Sequence, residues 1–200
     1  MEIKLLIVLF LTFNAKADIF PHVLQKYTND VLVCTGIASG EIFARAIEVN
    51  CEKGAFSEIY GVEADNILVD HSQKFVIPKY VNDYKPKNPN LCRVYHKNSV
   101  FDLADVINKI DKPITFVLAS QFPDWVNPEK DNFILQELDQ IKGHHLKNHI
   151  ILIDYIYFAN INLNNVKNKL LEINSNYKFK FENGGHIGKE ENAVLVAYFE

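Results

Sequence analysis

The chain has 200 residues, 48% of them hydrophobic and 23% charged, with a formal net charge of −4. That is enough apolar content for one domain with its own core. Lys and Arg are nowhere gathered into a basic stripe, which argues against nucleic acid as a main partner.

The chain opens with Lys4, the apolar run Leu5 to Phe13 and the small-residue pattern Ala15-Lys16-Ala17. The run is too short to span a bilayer and has the layout of a secretory signal cut after Ala17. Residues 18–200 are then the single mature domain, exported to the periplasm or beyond the cell. Loss of Glu2, Lys4 and Lys16 takes the net charge from −4 to −5. Uncut, the same run would be a buried strand or helix and the protein would stay in the cytoplasm.

Phe20 to Tyr27 reads as a short helix. Apolar β-forming runs then recur at Val31–Cys34, Glu58–Val62, Arg93–His96, Ile114–Leu118, Ile150–Ile153, Tyr177–Phe181 and Ala193–Phe199. Helical patterns fall between them at Glu41–Asn50, Asn66–Lys74, Asp102–Ile110, Phe133–Lys142 and Leu163–Ile173. Ser99 or Asp102 would cap the third of these, and Asn162 or Asn164 the fifth. Strands alternating with helices predict a mostly parallel sheet covered on both faces. The continuous apolar run Ile150-Ile-Leu-Ile153 fits a central strand. The last two runs are separated only by the polar stretch from Asn183 to Asn192, so they pair as an antiparallel hairpin. The predicted architecture is α/β and Rossmann-like, with seven strands.

Within that plan the first strand ends in the turn Thr35-Gly36-Ile37-Ala38-Ser39-Gly40, which opens a helix, and the second strand ends at Glu63. Glycine lets a backbone approach a ligand, a helix N-terminus offers free N–H groups, and an acid suits ribose hydroxyls. The plainer reading is a tight strand-to-helix turn.

Five βα units followed by a hairpin match the plan of class I S-adenosylmethionine-dependent methyltransferases. The chain from Val31 onward resembles a family of such proteins related in pattern to macrocin-type sugar O-methyltransferases. The residues that carry the resemblance are Lys112-Pro-Ile-Thr-Phe116, Ile134-Leu-Gln-Glu-Leu138, the run from Ile141 to Asp154, and Leu171 to Tyr177. The resemblance implies S-adenosylmethionine as cofactor, held by Thr35, Gly36, Ile37, Ser39 and Gly40, with Glu63 on the ribose and Asn98 and Ser99 beside the adenine. It implies Asp154 as the catalytic carboxylate and a small hydroxylated molecule as acceptor. The sequence departs from the family's pattern at Cys34 and Asn98, where acids are expected. It departs again at Ala119-Ser120-Gln121, which lacks the usual aspartate and histidine, and at Tyr155, which follows Asp154 in place of a second acid. These departures remove the ligands of a divalent cation, so no metal is expected.

Two function classes remain. One is an O-methyltransferase working without metal, with Asp154, His96 or Asp124 as base. The other is an exported, non-catalytic protein that keeps the fold to bind a ligand or a protein partner, since the methyl donor is a cytosolic metabolite. His144, His145 and His149 have no cysteine or HExxH partner and lie at the edge of the sheet away from the ligand, so a solvated or capping role is expected. Trp125 and His186 suit loop anchoring and a turn.

Overall fold

The computed structural model describes residues 21–38, 40–85, 92–119, 133–154, 162–184 and 190–199. A helix α1 (Pro21–Lys26) leads into β1 (Val31–Thr35), α2 (Glu41–Lys53) and β2 (Glu58–Glu63). Next come α3 (Asn66–His71), a π-helical turn (Ser72–Val76), α4 (Ile77–Tyr84), β3 (Cys92–His96) and α5 (Ser99–Ile107). The chain continues through β4 (Ile114–Leu118), α6 (Phe133–Gly143), β5 (Ile150–Asp154) and α7 (Leu163–Ile173) to the hairpin of β6 (Lys178–Gly184) and β7 (Glu190–Tyr198).

The seven strands form one sheet in the order β3-β2-β1-β4-β5-β7-β6. The first five are parallel, while β7 runs antiparallel between β5 and β6. Alternation along the strands builds two cores. Leu32, Cys34, Ile59 and Leu152 pack against α1 and α2 on one face. Val31, Val33, Phe116, Ile151 and Ile153 pack against α5, α6 and α7 on the other. Every residue of β1 and β4 is buried, as strands covered on both faces require.

Two local features differ from the sequence expectation. The helix after β2 does not stop near Lys74 but continues to Tyr84 by way of the π turn. Pro78 has no N–H to give the preceding turn, and Ile77 N–H bonds back to the Ser72 carbonyl, five residues earlier. The proline is absorbed by widening one turn. At α5 the cap is Asn98, one residue before the expected Ser99: its side chain accepts from Val100 N–H at 3.0 Å, and Asp102 accepts from Asn98 N–H at 3.2 Å.

Gly61 explains how α2 reaches the sheet. A Cβ there would stand 2.5 and 2.8 Å from two ring atoms of the fully buried Phe43. The bare strand position lets that ring lie on β2. At the sheet's far side, α1 is held to β6 by Tyr27 Oη donating to Glu182 at 2.6 Å and by Lys26 on the same carboxylate oxygen.

Candidate functional site

The candidate site lies at the C-terminal edge of the parallel strands, where α/β sheets bind ligands. Thr35 aligns with Val62 of β2 and with Leu118 of β4, and Leu118 aligns with Ile153 of β5. Glu63 and Asp154 each come one residue after this row. They share one edge, three strand spacings apart, about 14 Å at the usual strand separation. By strand alternation both belong to the face that carries α2.

The turn after β1 is tight. Gly36 has φ 62° and donates to the Val62 carbonyl at 3.0 Å, and Gly40 has φ 88° and donates to the Ile37 carbonyl at 2.8 Å. Between them Ala38 also takes a left-handed conformation, at φ 47°, which costs an L-residue free energy. The contact that offsets this is Glu63: its Oε2 accepts from Ala38 N–H at 3.0 Å, and its Oε1 accepts from Asp65 N–H at 3.0 Å. The carboxylate therefore joins the turn after β1 to the N-cap of α3. It is 9% exposed, and no cation pairs with it among the described residues. Each oxygen keeps lone-pair capacity for one more donor.

The remaining expected site residues are placed as follows. Thr35 is fully buried on the α5–α6 face, and its Oγ1 has no hydrogen-bond partner among the described residues. Ile37 is buried in the α2-side core. The space beside Gly40 is filled by the chain itself: a Cβ would stand 3.0 Å from Ser72 Oγ and 3.1 Å from a Val76 methyl. Gly40 thus lets the π turn pack on the start of α2. Asn98 spends its side-chain oxygen on the α5 cap, and Ser99 is buried behind it. Asp154 is 4% exposed and faces Val194 across the β5–β7 pair. Ser39, Ser120, Gln121, Asp124, Trp125, Tyr155, His186 and the expected signal segment, residues 1–17, lie outside the described residues.

Cys34 is buried in the core, and that burial, with Cys92 nearby, raises its thiol well above the ordinary cysteine range. It is a packed strand residue. His96 is exposed, with Nε2–H donating to the Ala64 carbonyl at 3.0 Å. The contacts that sequence reasoning missed are the backbone N–H groups of Ala38 and Asp65. A side-chain pattern carries no trace of them beyond an Asp at a helix start.

The strand order, the reversed β7 and the glycine turn at the first switch point define a Rossmann-like methyltransferase fold. No family model matches the sequence, and no curated protein matches it. Solved structures do match. The chain is similar to methyltransferase FkbM from Methylobacillus flagellatus, with a TM-score of 0.57, 19% identity, and 86% of this chain and 44% of that one covered. It thus spans less than half the length of that protein. It is also similar to the SAH-bound methyltransferase PaMTH1 from Podospora anserina, with a TM-score of 0.53, 12% identity and coverages of 90% and 76%. A TehB-like SAM-dependent methyltransferase from Corynebacterium glutamicum matches at a TM-score of 0.51 and 12% identity, with coverages of 90% and 86%. At these identities the shared property is the fold.

Proposed function

We propose that this domain binds S-adenosylmethionine at the ends of β1 and β2 and transfers its methyl group to a hydroxyl of a small acceptor. Glu63 carries the reading. It is a buried carboxylate with no cation partner among the described residues, fixed by two backbone N–H groups beside a glycine turn. An acid held this way suits the paired hydroxyls of a ribose. The residues fit the cofactor in one further respect: Gly36 gives close backbone approach. Bound there, the cofactor supplies an electrophilic methyl on sulfur. Glu63 would hold the ribose, and the sheet edge runs from there past β1 and β4 to Asp154 at the end of β5. Asp154, on the same edge, takes the acceptor proton. The O-transfer and the macrocin-type kinship rest on the sequence resemblance, as does the reading that Ala119 replaces a metal-binding acid.

A second reading keeps the ligand site without catalysis, in an exported protein. The N-terminal run Leu5 to Phe13 followed by Ala15-Lys16-Ala17 favours it.

Calorimetric titration with S-adenosylmethionine and its demethylated product tests both. Binding is expected to weaken at least tenfold in Glu63→Ala, the equivalent of about 1.4 kcal/mol, and less in Glu63→Gln. No heat with either ligand at millimolar concentration would overturn the cofactor site. Binding without methyl transfer to any hydroxylated acceptor would favour the second reading.

A further inference from the structure

The connection between α6 and β5 contains two histidines that the candidate site does not use. His144 and His149 are both fully buried. His144 Nε2 lies 3.1 Å from the Ile107 carbonyl and 3.0 Å from the Ile110 carbonyl, so it must carry the proton and donate. His144 Nδ1 is then an acceptor, taking Leu146 N–H at 3.3 Å and His149 Nε2–H at 3.0 Å. That fixes the other ring: His149 Nε2 donates, and His149 Nδ1 accepts from Ile114 N–H at 3.2 Å. One arrangement of protons satisfies all four ring nitrogens, and in it both imidazoles are neutral.

A further proton has nowhere to go. On His149 it would set Nδ1–H against Ile114 N–H, and on His144 it would set Nδ1–H against two donors. Shifting protons between the rings does not help, because each remaining acceptor nitrogen already faces an N–H group. We propose that the His144–His149 pair is an acid-sensitive latch, which ties the α6–β5 connection to β4 and the end of α5 while both rings are neutral and releases it when His149 is protonated.

The surroundings offer the extra charge no relief. On the same connection, the tilted ring of His145 lies 4.4 Å from that of His144, and Lys147 donates to the His144 carbonyl at 2.6 Å. Asp111, ahead of β4, is engaged with the exposed His145, and Lys142 at the end of α6 pairs with Glu172. From the α7–β6 turn, Tyr177 donates its hydroxyl to the His149 carbonyl, and β4 contributes the edge-on ring of Phe116. Among the described residues no carboxylate hydrogen-bonds to either ring. Burial pushes His149 down to about 3. An unfolded histidine takes up its proton near 6.5. Between those values the unfolded chain binds a proton that the folded chain does not, so stability falls as pH drops below about 6.5.

Hydrogen–deuterium exchange on the full chain tests this at pH 7.5 and 5.0, corrected for intrinsic exchange. Peptides covering Ile114 and residues 144–151 are expected to lose at least tenfold in protection at pH 5.0. Protection there that is equal at the two values would overturn the latch. In denaturant titrations the unfolding constant is expected to rise about thirtyfold over the same interval. His149→Gln should shrink that rise and His145→Gln should keep it; the reverse pattern would also overturn the latch. If His149→Gln fails to fold, the exchange measurement on the natural protein decides. Glu182 does not interfere. Burial acts to raise its carboxyl, but hydrogen bonds from Lys26, Tyr27 and Lys180 outweigh it and hold the group at about 2. Its contribution is lost only as pH falls from about 4.5 toward 2, below the interval tested.

Discussion

At the scale of single residues, two glycines serve different ends. Gly36 has a left-handed backbone at the turn where a ligand's nucleoside would lie, and it belongs to the candidate site. Gly61 is an ordinary strand residue whose missing Cβ admits Phe43 and, 3.1 Å away, a methyl of Ile37. Ile37 sits in the turn itself, so packing at Gly61 also sets where that turn lies. Gly61→Ala must push a fully buried ring out of place, and overpacking of this kind costs about 1–3 kcal/mol. The urea midpoint of Gly61→Ala is expected to fall accordingly, and Phe43→Leu in the same chain is expected to recover part of the loss. A Gly61→Ala protein as stable as the natural one would remove this account of β2.

At the scale of elements, the contact between α5 and α6 depends on a side-chain amide. Gln140 Nε2 donates to the Ser99 and Val100 carbonyls at 2.7 and 2.8 Å, and its Oε1 accepts from Ala104 N–H at 2.8 Å. The amide thus bridges the Val100 carbonyl and Ala104 N–H, which lie one helical turn apart. Gln140→Leu would give up these bonds. A loss of about 1–2 kcal/mol is expected. For a chain of this size that lowers the melting temperature by a few degrees, and an unchanged melting temperature would show that the bridging amide contributes nothing. The sequence shows nothing of this pairing, because Gln140 reads as one more polar residue on an amphipathic helix. The same holds for α4. The sequence pattern ends this helix near Lys74, and the packing of Ile77, Tyr80 and Val81 against the α2-side core carries it past Pro78 through a widened turn.

At the scale of the whole molecule, the two cores are closed from opposite directions. The α1 helix, directly after the expected signal, is part of the α2-side core through the fully buried Val23 and Leu24 and is tied to β6 through Tyr27 and Glu182. Cutting after Ala17 would leave all of α1 in place. If the export reading holds, N-terminal sequencing of the native protein recovered outside the cytoplasm will begin at Asp18. A native chain beginning at Met1 would return the protein to the cytosol and strengthen the enzyme reading.

The sequence by itself determined the strands, their helices and the closing hairpin. Continuous apolar β-forming runs such as Ile150 to Ile153 can be buried only between two helical layers, and a short polar stretch between β6 and β7 leaves no room for a crossover. It also placed Thr35, Gly36, Glu63 and Asp154 on one edge, because residues that end parallel strands end at the same edge. The tertiary structure decided what those residues and the histidines touch. Backbone N–H groups have no signature in a sequence, so the grip of Ala38 and Asp65 on Glu63 became visible only when the two turns met. The packing of the π turn against Gly40 became visible in the same way. Three histidines in a polar stretch look solvated until the end of α5 and the start of β4 close over two of them. Burial is a property of what packs around a residue, and for His144 and His149 it comes from segments more than thirty residues away along the chain.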